Sequence, residues 1–178
     1  MERLVRVAKT LRLEHNFNGY IHLKAIPGAS PDLLHEAGLY ADRLSVNIEI
    51  PSEMELQKVA PEKNYTDILT PMNYLTDEKI RYVDERKTLK RTPKFMPAGQ
   101  STQLIVGATP ESDFQILHLA DDLYKQQQLK RVYYSGYVPI ATDARVPALT
   151  APPLMRENRI YQADWLLRFY KFTLSEII

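Results

Sequence analysis

Four short segments of the chain place polar, chemistry-bearing side chains at every second residue. In "GYIHLKAIPG", His22 and Lys24 alternate with Ile21 and Leu23. In "ADRLSVNIEIPSE", Ser45, Asn47 and Glu49 alternate with Leu44, Val46, Ile48 and Ile50. In "STQLIVG", Gln103 and Gly107 lie opposite Leu104 and Val106, and in "RVYYSGY" Arg131, Tyr133, Ser135 and Tyr137 share one side. Extended backbone sends alternate side chains to opposite faces, so each segment predicts a strand with one apolar and one polar face. Strands between helices are usually apolar on both faces. A polar set repeated over several strands therefore points to a wet concavity that holds a ligand, or else to an open sheet with one face in solvent.

The residue types say what such a concavity binds. A lysine on an inner strand face is costly unless it meets an anion; otherwise Lys24 snorkels from the strand end. Ser45 offers both a donor and an acceptor, or is simply small enough to pack. Asn47 and Glu49 suit hydroxyls or an ammonium group, or a basic side chain of the protein itself. Tyr133 and Tyr137 are candidates for hydrogen-atom donation or for stacking on a base, although interior tyrosines are more often structural. In "VGATPESD", Gly107 permits close approach of a ligand to the backbone, and Glu111 is placed to tie down the turn that follows. Between positions 81 and 94, Arg81, Arg86, Lys87, Lys90, Arg91 and Lys94 face only Asp84 and Glu85. Arg86, Lys87, Lys90 and Arg91 are the candidates for phosphate contact; a solvated basic loop is the commoner use of such a run.

The elements that must position these residues are punctuated clearly. "MERLVRVAKTLRLEH" repeats apolar residues at helical spacing. Ser30 and Pro31 open a second helix, with Gly38 placed just past its end. Ser52 with Glu55, and Ser112 with Gln115, form capping boxes that open two more. Residues 61–99 read as partly helical, broken at Pro71, and then as a loop. A Pro-rich connection leads to a last helix in "ENRIYQADWLLRFYKF". Helix and strand thus alternate along the chain, which predicts an α/β fold of right-handed βα repeats around a parallel sheet.

Bulk composition narrows the rest. The chain has 178 residues, 44% hydrophobic and 25% charged, with a net charge of +1. That suits a globular domain with a sizeable core and no overall field toward nucleic acid or membrane. No apolar run approaches a membrane span, and "MERLVRVAKT" lacks the apolar core of a signal peptide, so a cytoplasmic protein is expected. There is no cysteine, which excludes a disulfide, a thiolate nucleophile and a cysteine-ligated iron–sulfur cluster within this chain.

The segments "FNGYIHLKAIPGAS", "ADRLSVNIEIPSE", "QLIVGATPESD" and "PPLMRENRIYQADWLLRFYKF", in that order, resemble the DNA modification/repair branch of the radical S-adenosylmethionine (radical SAM) proteins, relatives of spore photoproduct lyase. The resemblance spans nearly the whole chain. It implies a partial TIM-type barrel, S-adenosylmethionine and a [4Fe–4S] cluster as cofactors, and a 5′-deoxyadenosyl radical that abstracts hydrogen from a nucleic-acid substrate, DNA or RNA. It also implies that Lys24 meets the S-adenosylmethionine carboxylate and that Ser45 meets its ribose or amino-acid portion. Asn47 and Glu49 then lie further along the same site, with Gly107 and Glu111 at the adenine end.

The chain departs from that pattern in two respects. Neither the CxxxCxxC cluster loop of the superfamily nor the helix-hairpin-helix DNA-binding end expected after the final helix has a counterpart here. The expected organisation is therefore an internal fragment. Residues 1–150 form part of the barrel, with a basic insertion near 61–99, and 151–178 form a C-terminal linker and helix. The missing strands and cluster loop would come from a parent protein or another chain. The competing expectation is a non-catalytic βα domain that binds a nucleotide or a protein partner.

Overall fold

Serine caps and strand alternation resolve into an α/β chain. The computed structural model describes residues 1–140 and 143–178. In order they form α1 (Glu2–Leu13), β1 (His22–Lys24), α2 (Pro31–Tyr40), β2 (Arg43–Ser45), α3 (Glu53–Val59), α4 (Tyr65–Thr88), β3 (Gly99–Val106), α5 (Asp113–Gln126), β4 (Arg131–Gly136), α6 (Leu154–Trp165) and α7 (Leu174–Ile177). A π-helical stretch, Leu166–Tyr170, continues α6. The four strands make one all-parallel sheet in the order β1-β2-β3-β4. Parallel neighbours need long crossovers, and helices supply each of them.

The predicted serine caps form, with the reciprocal capping box at Ser112 but at Ser52 only the serine half of it. The Ser30 hydroxyl accepts from Leu33 N at 3.4 Å, with Pro31 at the first helical position of α2. The Ser52 hydroxyl accepts from Glu55 N at 3.3 Å. Ser112 and Gln115 exchange bonds across the start of α5. The Glu55 carboxylate pairs with Lys58 within the same helix.

Two readings of the chain differ from the fold. Gly38 lies inside α2, not past its end. It is buried, and a Cβ there would overlap the Phe95 ring; the glycine is a packing notch. Pro71 does not break α4, which runs 24 residues through it. Proline forfeits one helical hydrogen bond. The buried row Ile68, Met72, Leu75 and Tyr82 holds the helix against that loss. So does Gln100, whose Nε2 donates to Met72 O at 3.0 Å and to Thr76 Oγ1 at 2.7 Å.

The chain divides into two compact units. The first comprises Met1–Asn47, Thr66–Thr102 and Gln127–Arg131; the second comprises Ile48–Tyr65, Gln103–Gln126 and Val132–Ile178. In the first, α1 packs on α2, and Val5, Ala8, Leu34, Leu44, Met72 and Met96 are fully buried. Arg12 ties α1 to the sheet, reaching Asp42 at 2.7 Å and Gly19 O at 2.9 Å. The same Asp42 oxygen accepts from Ile21 N at 2.7 Å. His35, Tyr82 and Phe95 form an aromatic cluster, with Tyr82 stacked on Phe95 at 5.0 Å, and His35 Nδ1 lies 2.7 Å from Glu78.

In the second unit a carboxylate stands at the centre of the packing. Asp164 is fully buried and gathers the Tyr124 hydroxyl, the Tyr134 hydroxyl at 3.2 Å and Arg168 Nε at 2.7 Å. Tyr124 also accepts from Val132 N, and Tyr161 accepts from Tyr134 N. Burial and the neighbouring carboxylate push both the Tyr124 and the Tyr134 hydroxyls well above the ordinary phenol range.

The Gly38 notch carries a prediction. Gly38→Ala gains up to about 1 kcal/mol of helix propensity but overpacks a filled site, which costs roughly 1–3 kcal/mol. Chemical denaturation is expected to show a net loss of stability. Adding Phe95→Leu to Gly38→Ala is expected to recover part of it.

Candidate functional site

The expected ligand residues fall on both units, and each group is described where it lies. In the first unit the strands pair in register. His22 stands opposite Arg43, which stands opposite Gly99; Lys24 stands opposite Ser45, which stands opposite Ser101. Register partners on parallel strands point to the same side. Lys24 and Ser45 are therefore neighbours on one face, as expected, with Ser101 beside them. Leu23, Leu44 and Gln100 fill the other face. Lys24 is exposed, while Ser45 and Ser101 are 7% and 0% exposed. The Ser101 hydroxyl has no hydrogen-bond partner among the described residues. This arrangement places an exposed lysine beside two buried hydroxyls. Asn47, half-buried, follows two residues after Ser45.

His22 stands at the start of β1. Partial burial and the nearby Arg43 charge hold its pKa below the ordinary imidazole value.

The alternation expected from Leu44 to Ile50 is interrupted. Val46 N donates to Ser101 O, but Glu49 N donates to Gln103 O and Glu49 bridges Leu104. The chain thus advances one residue further than β3, as a bulge requires. Glu49 sits at φ 68°, a left-handed conformation uncommon for a side chain other than glycine. Its carboxylate pairs with Lys63 at 2.5 Å. Glu49 is therefore not a regular continuation of the Ser45 row. The basic partner anticipated for it is Lys63, which period-two reasoning could not locate.

In the second unit β3 ends at Val106 and turns at Gly107, φ 87°. A Cβ there would approach Pro153 Cγ to 2.9 Å, so the glycine serves both conformation and close packing. Glu111 does tie down the turn. Its buried carboxylate accepts from the Ser52 hydroxyl at 2.8 Å, so one serine caps α3 and holds the loop before α5. The Glu111 carbonyl accepts from Arg156, which also meets Asp113 at 2.7 Å. Beside this turn lies a cleft of about 520 Å³, lined by Glu55, Gly107, Thr109, Arg145, Leu149 and Pro153 among others. It sits where open α/β sheets bind ligands, beyond a strand's carboxyl end. Tyr133 and Tyr137 are half-buried. Tyr137 N donates to Val106 O, and the Ser135 hydroxyl accepts from Gln103 at 2.8 Å.

The basic segment belongs to the end of α4 and the turn after it. Arg86 donates to Thr92 O and Lys87 pairs with Asp84 at 2.6 Å, so these two are already engaged. Lys90 and Arg91 are exposed. Sequence reasoning missed Asp164 and its tyrosines, because a single carboxylate in an amphipathic helix carries no marker of burial.

Among the described residues no helix is long and apolar enough to cross a membrane. No protein-family model, curated protein or solved structure matches the chain.

The His22 environment has a signed consequence. A lowered folded-state pKa means that the unfolded chain binds more protons below the ordinary value of 6.5. His22 thus favours folding above that value, and its contribution is lost as pH falls below it. Melting temperatures of the wild type and His22→Gln, measured between about pH 8 and pH 5.5, are expected to differ in slope, with the variant flatter.

Proposed function

We propose that the chain is the central part of a radical SAM enzyme acting in DNA repair or nucleic-acid modification, and that its own contribution is to bind S-adenosylmethionine. One observation carries the reading beyond the sequence resemblance: Lys24 and Ser45 are register partners on one polar sheet face. A lysine's positive charge suits the cofactor's carboxylate, and the adjacent hydroxyl suits a ribose or amino group. The Gly107 turn, which packs against Pro153 in its own unit, keeps the adenine end only as the resemblance implies it. Asn47 and Glu111 keep the roles that the resemblance assigns. Glu49, held by Lys63, is the weakest member of the set.

The iron–sulfur cluster does not fit this chain. There are no thiolates, and among the described residues no three His, Asp or Glu side chains gather to hold a metal. No step is assigned through a cluster here; its ligands would have to come from outside these 178 residues. Reductive cleavage of S-adenosylmethionine needs that electron source, so the chain's residues bind and orient and do not themselves start the chemistry. Tyr133 and Tyr137 remain the candidates to face substrate, and Lys90 and Arg91 to meet its phosphates.

The same lack of thiolates favours a second reading, a non-catalytic βα domain that binds a nucleotide or a protein partner.

Titration calorimetry with S-adenosylmethionine tests the first reading. Losing an ionic hydrogen bond costs about 1.5–3 kcal/mol. Lys24→Ala is expected to weaken binding roughly ten- to a hundredfold, and Ser45→Ala less, with melting temperature little changed. Affinity unaltered by Lys24→Ala, or no binding at millimolar concentration, overturns it. Nucleotide binding in the absence of S-adenosylmethionine binding supports the second reading.

Anaerobic reconstitution with iron and sulfide provides an independent check. The chain is expected to retain no cluster. Iron at about four per chain with cluster absorbance would show that other side chains replace the thiolates.

A further inference from the structure

Three cations from distant parts of the sequence meet at one glycine in the first unit. Gly99 opens β3 and takes φ 77°. A Cβ built there would lie 2.8 Å from the Lys79 ammonium and 2.7 Å from Lys130 Cγ. Gly99 also stands opposite Arg43 in the β2–β3 register, and the Arg43 guanidinium donates to Ala98 O at 3.1 Å. Lys79 of α4, Lys130 ahead of β4 and Arg43 of β2 therefore crowd the amino end of the sheet.

Among the described residues no carboxylate pairs with these charges. Lys79 is half-buried, and among the described residues neither its ammonium nor that of Lys130 makes a hydrogen bond or ion pair. The charges acting on Lys79 are those of Lys130 and Arg43, both of like sign, and with burial they lower its pKa. Arg43 Nε is buried with no hydrogen-bond partner. Asp42, next to Arg43, is occupied by Arg12 and Ile21 N, and Glu78, next to Lys79, by Arg81 and His35. His22, next to Arg43, is the other titratable group acting here, and its pKa too is lowered. A half-buried lysine among like charges is unfavourable unless an anion joins it.

We propose that Arg43, Lys79 and Lys130 form a binding site for a phosphate group. The donors approach from three separate elements, and a tetrahedral oxyanion offers separate oxygens to each, whereas a carboxylate offers two. A guanidinium fork and two ammonium groups are the usual side-chain partners of phosphate. Gly99, which has no Cβ, leaves the room in which Lys79 and Lys130 come together against the sheet. The site is independent of the S-adenosylmethionine reading and shares no residue with it. The phosphate's source is either a small phosphorylated molecule or a nucleic-acid backbone.

The test uses the whole chain and inorganic phosphate. Phosphate is expected to raise the melting temperature beyond chloride at equal ionic strength, as a ligand of the folded state does. The double variant Lys79→Met/Lys130→Met is expected to weaken phosphate binding at least tenfold. Lys79→Met alone is expected to raise the melting temperature without phosphate, because like-charge repulsion is relieved; a merely structural lysine would lower it. Displacement by a 5′-mononucleotide assigns the site to a phosphate monoester. Displacement by an oligonucleotide without terminal phosphates, and a salt dependence that Lys79→Met reduces, assigns it to a backbone. No phosphate effect beyond ionic strength, or an effect that survives the double variant, overturns the proposal. Failure of S-adenosylmethionine binding would leave it untouched.

Discussion

The in-register parallel pairing of β1, β2 and β3 decides what each side chain on those strands can do. Because Leu23, Leu44 and Gln100 stand in one row, that side of the sheet is committed to packing. Even its one amide is spent on α4, through Met72 O and Thr76. The next row, Lys24, Ser45 and Ser101, is thereby turned to the other side. The pairing thus makes polarity on that face a structural consequence. A slip by one residue would bury a lysine and expose two leucines, a far larger loss than any single hydrogen bond in the site.

The loop architecture follows a related economy of polar groups. Ser52 serves two masters, the first turn of α3 and the Glu111 carboxylate. Arg156 likewise serves the Glu111 carbonyl and Asp113. Buried carboxylates are tolerated when such donors surround them. The turn after β3 is therefore built by side chains from three helices, and the Gly107 backbone needs no side chain of its own to stay in place.

Much of this was legible from the sequence. Serine caps at 30, 52 and 112 located helix starts because capping is local chemistry. Alternation located the polar strand face because a strand's period is local too. Gly38 and Pro71 misled for one reason: each has a local meaning, helix end or helix break, that a distant partner overrides. Phe95 fills the space that Gly38 leaves, and Gln100 helps to hold α4 beyond Pro71. The bulge before Glu49 was invisible because it depends on where β3 pairs, not on the residues of the bulge. Arg43, Lys79 and Lys130 are separated by tens of residues, and no pattern in a single chain brings them together.

The Asp164 cluster has a dynamic corollary. One carboxylate gathers Tyr124 from α5, Tyr134 from β4 and Arg168 from the π-helical stretch. Terminal helices commonly fray ahead of global opening. Here, lifting α6 away would carry Asp164 off and leave the buried Tyr134 hydroxyl without its acceptor, so α6 cannot open cheaply by itself. Its amides should exchange with solvent deuterium on the timescale of β4, as one cooperative block, while α7, which has no buried residue, exchanges early.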